Sequence, residues 1–374
     1  MRQMNPLPGE ERVVAIDTLR GVALAGVLIV NLLMGFRVPL SAHILHADAP
    51  SGSGGALILS VVAGVIEFKA FTLFSFLFGV GVAIQAERAA ARGASFLLRR
   101  FGALLGFGLI HLLLIWNGDI LTLYAICGIL LIPLLMLPAW TLAVSGLLLI
   151  AAPYVVSLPV AFPSHATLTQ LAASALPIYQ TGTWRQLLAF RWQETVSLIF
   201  PLLALSLPRT VGLMLWGVAA WRYGLRERNA RVMLWIIAMG AALALAGRMI
   251  RNEEMETVPL AAVYGAGILL WNPYAPWIAA AGRMALTNYL TQSIVFGLVF
   301  YSYGLGWFGR WGVGVTLAGG MALYCAQLWL SQWWMKRFYF GPFEWLWRSI
   351  SYRKWQPLWR ENAHTVSLAA SGQE

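Results

Sequence analysis

The chain has 374 residues, 59% of them hydrophobic and only 11% charged, with a formal net charge of +11. So few charges exclude an ordinary soluble domain, where roughly a quarter of residues are charged. The basic surplus falls at the ends of apolar runs with no soluble domain to carry it. That argues against nucleic-acid binding and for lipid headgroups and membrane topology.

Hydropathy marks about ten apolar stretches near or above the roughly 20 residues that cross a bilayer. They cover residues 19–36, 57–85, 101–116, 120–137, 141–161, 195–221, 232–250, 258–271, 277–301 and 312–334. The expected fold is all-α, a polytopic transmembrane helix bundle forming one membrane domain over 1–360, with 361–374 a disordered tail. Glu10, Glu11 and Asp17 precede the first run, so it is expected to stay as an uncleaved helix. Most Lys and Arg lie before the first span, in 86–100, in 222–231 and after 335, which puts both termini in the cytoplasm. Eighteen Trp suggest aromatic belts. Cys127 and Cys325 fall inside spans, so neither a disulfide framework nor a zinc spacing is present.

The first span opens with Asp17 and Arg20, three residues apart and able to pair on one helical face. The pair reads either as a capping acid with a topological anchor or as an Arg aimed at an anionic group from the cytoplasm. Asn31 lies eleven residues beyond Arg20 on the same helix and is a candidate polar contact. His43 and His46 follow with Asp48 in the next loop, too few ligands for a metal site.

The second stretch is too long for one straight crossing and carries Glu67 and Lys69, which point to different sides and need separate partners. Glycines 102, 106 and 108 allow close helix packing, either within the chain or in a homodimer. His111 is an intramembrane histidine, and Asp119 lies where it could orient it. Pro201, Pro208 and Arg209 predict a break or kink in 195–221, with Glu194 or Glu67 as counter-charge for Arg209. Arg283, Asn288 and Gln292 form a polar stripe repeated by Gln327 and Ser331, which suits a hydrated centre or interhelical hydrogen bonds. The segment 341–348 reads as a short interfacial helix. No phosphate-binding glycine loop, nucleophile elbow or HExxH motif occurs, and no metal or permanently bound cofactor is expected.

Several of these segments together resemble the YeiB-like bacterial membrane proteins, a family of unknown function. The matching blocks are 16–24, 74–81, 110–111 with 116–121, and, most strongly, 282–289 with 341–348, the family-typical part running over about 210–355. The Asp17-x-x-Arg20-Gly21 opening also resembles a wider superfamily of transmembrane acyltransferases, including the type-3 enzymes and the lysosomal heparan glucosaminide N-acetyltransferase. That resemblance implies transfer of an acyl group from cytoplasmic acyl-CoA to a sugar or similar acceptor across the membrane. The type-3 enzymes have an essential His where this chain has Asn31, so that assignment does not carry over. The heparan-modifying branch resembles this chain in having Asn there and places its active His after the first helix, where His43 or His46 could correspond.

Two functional readings stand side by side. As an acyltransferase of the bacterial inner membrane, the chain would dock acyl-CoA near Arg20, Arg99 and Arg100. A His, with His111 taken first and then His43 or His46, would serve as base or acyl carrier, and Asp119 as orienting acid. The acceptor would be a small molecule or glycan. As a small-solute transporter or channel, Glu67, Lys69, Arg209 and His111 would line a pathway. A structural or regulatory partner of an envelope enzyme is the third possibility.

Overall fold

The computed structural model describes residues 14–45, 52–88, 93–155, 162–227, 229–271 and 275–360. Among them regular structure is helical, apart from one antiparallel bridge between Phe338 and Trp359. Six helical segments are long and apolar enough to cross a membrane: Val14–Phe36, Gly52–Arg88, Ala94–Ile115, Trp184–Arg222, Ala230–Met249 and Val313–Arg337. Shorter apolar helices occupy Leu121–Leu134, Ala139–Pro153, Met255–Trp271 and Ala285–Phe300. Each expected stretch thus holds a helix, six of them with the length of a full crossing. The expected tail at 361–374 and His46 lie outside the described residues.

The interior is built around α1 (Val14–Asn31), which packs on α4 (Lys69–Arg88), α13 (Pro276–Arg283) and α15 (Val313–Arg337). Helix α4 also packs along α10 (Phe200–Arg222). Bilayer hydrocarbon is as apolar as leucine, so helix association there depends on close van der Waals packing at small residues. This chain follows that rule. A Cβ added at Gly79 would strike the Met214 carbonyl, one at Gly217 the Phe76 carbonyl, and one at Gly282 the Asp17 carbonyl. The backbones of α4 and α10, and of α1 and α13, therefore touch. By contrast Gly102 and Gly106 face open space on α5 (Ala94–Ile110), while Gly108 packs against Thr122.

Breaks, rather than continuous rods, mark the long segments. The second apolar stretch splits into α3 (Gly52–Val65) and α4, as its length required. In 195–221 the irregularity is a π-turn at Thr195–Ile199, placed just ahead of Pro201; α10 then runs on through Pro208. Helical residues run on both sides of Pro201, so the wider π-turn ahead of it is what accommodates its ring and missing N–H. The 277–301 stretch is also divided, into α13 and α14 (Ala285–Phe300), with a non-helical Met284 between.

The stretch 162–194, left between two expected spans, folds into α8 (His165–Thr181) and α9 (Trp184–Glu194). Thr183 and Gln186 form a capping box at the start of α9, and the Ser164 hydroxyl accepts from the Thr167 N–H at the start of α8.

The 341–348 block is helix α16 (Pro342–Tyr352), and its role is more specific than lying on a surface. Glu344 Oε1 accepts from the backbone N–H groups of Leu286 (2.7 Å) and Thr287 (3.0 Å), and the Thr287 hydroxyl donates to Oε2 at 2.5 Å. One carboxylate thus satisfies the first orphan donors of α14 from a helix far away in sequence. Burial pushes the Glu344 carboxyl above its ordinary range, and the Thr287 and backbone hydrogen bonds pull it back. Glu344→Ala is expected to lower stability by about 2 kcal/mol, with Glu344→Gln losing less because its carbonyl oxygen still accepts. Thermal unfolding of the detergent-solubilised protein measures both.

Candidate functional site at the broken helix

The break between α3 and α4 gathers four of the sequence-selected residues, His43, Glu67, Lys69 and Arg209. Phe68 has φ of 57°, a left-handed conformation that is costly for an aromatic residue. The break leaves carbonyls at the end of α3 without helical donors, and Lys69 Nζ supplies one, donating to the Ala63 carbonyl at 3.1 Å. Glu67 turns the other way. Its Oε1 lies 3.3 Å from Nε2 of His43, carried on the short helix α2 (Leu40–Ile44), so the Nε2–H tautomer donates to the carboxylate. The separate partners expected for Glu67 and Lys69 are what is found.

Arg209 of α10 comes to the same place. Its guanidinium donates to Thr72 Oγ1 at 2.9 Å and lies 5.8 Å and 5.9 Å from the Phe68 and Phe71 ring centres. Glu194, one of its two expected counter-charges, is engaged elsewhere, as described below. Next along α4, Ser75 shares a 2.7 Å hydrogen bond with the Tyr124 hydroxyl of α6 (Leu121–Leu134). Two polar groups, Thr72 and Ser75, therefore lie along the first turns of α4, just past the break that carries Glu67.

The Asp17–Arg20 pair lies farther along α4, beyond the apolar residues 76–80. Arg20 donates to Asp17 Oδ1 at 3.0 Å, the helical pairing the spacing predicted. The Arg20 guanidinium also lies beside Gly81 of α4, 3.4 Å from where a Cβ would stand. At about 1.5 Å of rise per residue, Glu67 and the Arg20 level of α4 are separated by about 20 Å. Arg283 is half-buried at the end of α13 and reaches this end through the contact of Gly282 with the Asp17 carbonyl. Beyond it, a cavity of about 460 Å³ opens between the ends of α4 and α10, lined by Glu87, Trp221, Arg222, Tyr223, Arg226 and Glu227 among others. Asn31 stands half-buried where α1 passes into a π-turn at Leu32–Phe36, and its side chain caps nothing there.

His111 and Asp119 do meet, in a second and sealed cluster. Nδ1 of His111 lies 2.9 Å from Asp119 Oδ1, and both side chains are 0% exposed. His111 begins a π-turn, His111–Ile115, that ends α5 and aims the ring inward. The two Asp119 oxygens accept from the N–H groups of Leu121 (3.0 Å) and Thr122 (2.6 Å), starting α6. The Tyr289 ring lies 5.1 Å from the imidazole, and its hydroxyl accepts from the Ile120 N–H at 3.4 Å.

Glu194, expected opposite Arg209, belongs instead to this cluster, with Tyr179 and Arg191, which the sequence did not single out. Glu194 Oε2 accepts from Asn117 at 2.8 Å and from the Tyr179 hydroxyl at 2.6 Å. Burial and the neighbouring Glu194 charge push Tyr179 well above its ordinary range, which keeps it a donor. Arg191 donates to the Leu114 carbonyl at 2.7 Å and sits over the Tyr301 ring at 4.7 Å. The capping box at Thr183 was the available signal that these residues lie on a helix and not in a loop.

The α14 stripe is a structural ladder. Asn288 donates to Ser331 Oγ at 3.0 Å, Gln292 to Gln327 Oε1 at 2.8 Å, and Gln327 to Thr291 Oγ1 at 2.9 Å. These bonds join α14 to α15 and leave little capacity for a ligand. Among the described residues no group of three His, Cys, Asp or Glu gathers as metal ligands.

A family model described as a protein of unknown function (DUF418) matches residues 201–354. The uncharacterized protein YxaH of Bacillus subtilis is 31% identical, over 96% of this chain and 98% of the relative. An uncharacterized 39.9 kDa protein from the amylase 3′ region of Bacillus acidopullulyticus is 30% identical, over 95% and 98%. The uncharacterized protein YeiB of Escherichia coli is 28% identical, over 92% and 97%. No solved structure matches the chain. End-to-end similarity to bacterial relatives, joined to an all-helical architecture with several membrane-length apolar segments, makes this chain a member of the YeiB-like membrane protein family of unknown function.

Proposed function

We propose that the chain is a multi-pass acyltransferase of the bacterial cytoplasmic membrane. It would move an acyl group from acyl-CoA at the inner face to a small-molecule or glycan acceptor that is extracytoplasmic or membrane-embedded. The observation that carries this reading is the His43–Glu67 pair at the helix break. Its side chains are 25% and 15% exposed, whereas the His111–Asp119 pair is sealed; His43 Nδ1, the nitrogen left to act as base, lies beneath the surface, so the ring must turn for the acceptor to reach it. Of the two dyads it is the one nearer the surface, which favours it for the reach to the reacting proton that a general base needs.

The chemistry follows from the residues at the break. Glu67 holds the His43 ring and stabilises it when it takes a proton from the acceptor hydroxyl or amine. The freed electron pair attacks the thioester carbonyl. Arg209 supplies positive charge for the oxyanion that forms. Collapse of that intermediate breaks the C–S bond, and the departing thiolate takes the proton back from His43. Donor phosphates would be held near Arg20, toward the other end of α4; about 20 Å of separation suits a long carrier arm. His111 and Asp119 would then act on the shape of the bundle and not on the reacting atoms.

Acetyl-CoA binding to the purified protein, compared with free CoA and with Arg20→Ala, tests the donor half of the scheme. Binding is expected, weakened roughly tenfold or more in the variant, since a charge-assisted contact to phosphate contributes about 1.5–3 kcal/mol. Absence of binding by any acyl-CoA would remove the proposal. A second reading, a small-solute transporter, draws on one specific feature: helices broken at 66–68 and at Met284, with charged groups at or beside each break. Solute flux in proteoliposomes without an acyl donor would select it.

A further inference from the structure

Beyond the last spanning helix the chain does not trail away; it folds back into a basic, tryptophan-rich cap. Residues 337–339 and 358–360 clip together, with the Tyr339 N–H donating to the Leu358 carbonyl and the Arg360 N–H to the Arg337 carbonyl. Trp345 stacks on Trp355 at 5.0 Å and donates to the Gln356 carbonyl at 2.8 Å. The other side of the cap is fastened to α5: Trp347 donates to the Arg100 carbonyl at 2.7 Å, and the Arg100 guanidinium lies 3.7 Å over its ring. The cap is therefore tied both to the end of α15 and to α5.

Its outer edge presents Arg353 and Lys354, both exposed, around a recess of about 180 Å³ that they line with Ser349, Ile350 and Trp355. Ile350 is 47% and Trp355 69% exposed, so apolar and cationic groups share one rim. Arg353 is held at φ of 52°, a left-handed conformation that turns the chain sharply after α16. No acidic side chain lines the recess. Nearby, α15 ends in Lys336 and Arg337 after an exposed Trp329 and Trp333, the pattern of a helix leaving hydrocarbon for the headgroup layer.

We infer that this cap is a binding site for the phosphate of an anionic phospholipid, with Arg353 and Lys354 taking the headgroup and Ile350 and Trp355 the upper acyl chain. Paired charges beside an apolar wall match an amphiphile, where a soluble phosphate would leave the isoleucine and tryptophan unused. The position at the end of a membrane-length helix brings such lipid to the recess without a path through water. The inference is independent of the acyl-transfer chemistry.

Native mass spectrometry of the full chain, released from micelles doped with phosphatidylglycerol or phosphatidylcholine, tests it. The variant is Arg353→Asn with Lys354→Gln, because asparagine tolerates the left-handed backbone. Phosphatidylglycerol is expected to be retained over phosphatidylcholine, and the double variant to weaken its retention roughly tenfold, from the loss of two interfacial cations. A control variant, Arg251→Asn with Arg310→Gln, removes two exposed cations elsewhere and is expected to leave retention unchanged. Equal retention of the two lipids, equal loss in the control, or displacement by soluble glycerol phosphate would each overturn the assignment.

Discussion

His43→Ala is expected to lower CoA-dependent acyl transfer by roughly 10²- to 10⁴-fold, the usual contribution of a positioned general base. The substitution removes a partly exposed ring from a short helix and leaves Glu67 with access to water, so the fold should survive it. Donor binding should survive as well, because Arg20 lies about 20 Å away along α4. Glu67→Gln keeps an acceptor of the same shape but removes its charge, and is expected to cost less, roughly tenfold. The measurement is thiol release from acetyl-CoA by membranes that contain the acceptor, followed across pH. Loss of the acidic-limb dependence, the fall in rate as the base is protonated at low pH, in His43→Ala, with acetyl-CoA binding intact, is the signature of a base. Unchanged turnover in His43→Ala together with loss in His111→Ala would move the chemistry to the sealed pair.

The sequence made the apolar stretches legible because hydrocarbon imposes length and composition on a crossing helix. It also located one break, since 57–85 exceeded a straight crossing and carried Glu67 and Lys69. It did not reveal that His43 would be the partner of Glu67. That contact closes over twenty-four positions through a short helix whose five residues have no periodic signal of their own. Arg191 and Tyr179 were missed, and Glu194 was assigned to Arg209 instead, for a different reason: α8 and α9 mix polar and apolar residues in a way that resembles a loop, and their buried charges lower the hydropathy further. His111 and Asp119 were paired correctly by spacing, but exposure, which decides between a reactive and a structural role, is a property of the packed bundle. Glu344 shows the same limit. Its block marked the family, while its work, capping α14, depends on a helix junction that no local pattern announces.

Asp119→Ala should be among the most destabilising substitutions in the chain, at about 3–5 kcal/mol. Three losses coincide there. The N–H groups of Leu121 and Thr122 lose their acceptors at the start of α6, in a region closed to water. His111, already with no partner for Nε2 among the described residues, loses the group beside Nδ1 as well. The π-turn that ends α5 then has less to hold it, and Asn117, two residues from Asp119, orients Glu194 and through it Tyr179. Asp119→Asn retains one acceptor oxygen and should cost roughly half as much. Thermal unfolding in detergent gives both values, and a double-mutant cycle with His111→Phe separates the pair from the cap. If the two residues interact directly, Asp119→Ala should cost about 1–2 kcal/mol less in the His111→Phe background. An unchanged cost would mean that Asp119 serves α6 alone and that the histidine is held by Tyr289 and Trp116. A large coupling with normal acetyl-CoA turnover in Asp119→Asn would establish the dyad as a structural clamp between α5 and α6, leaving the chemistry to the break where His43 is exposed.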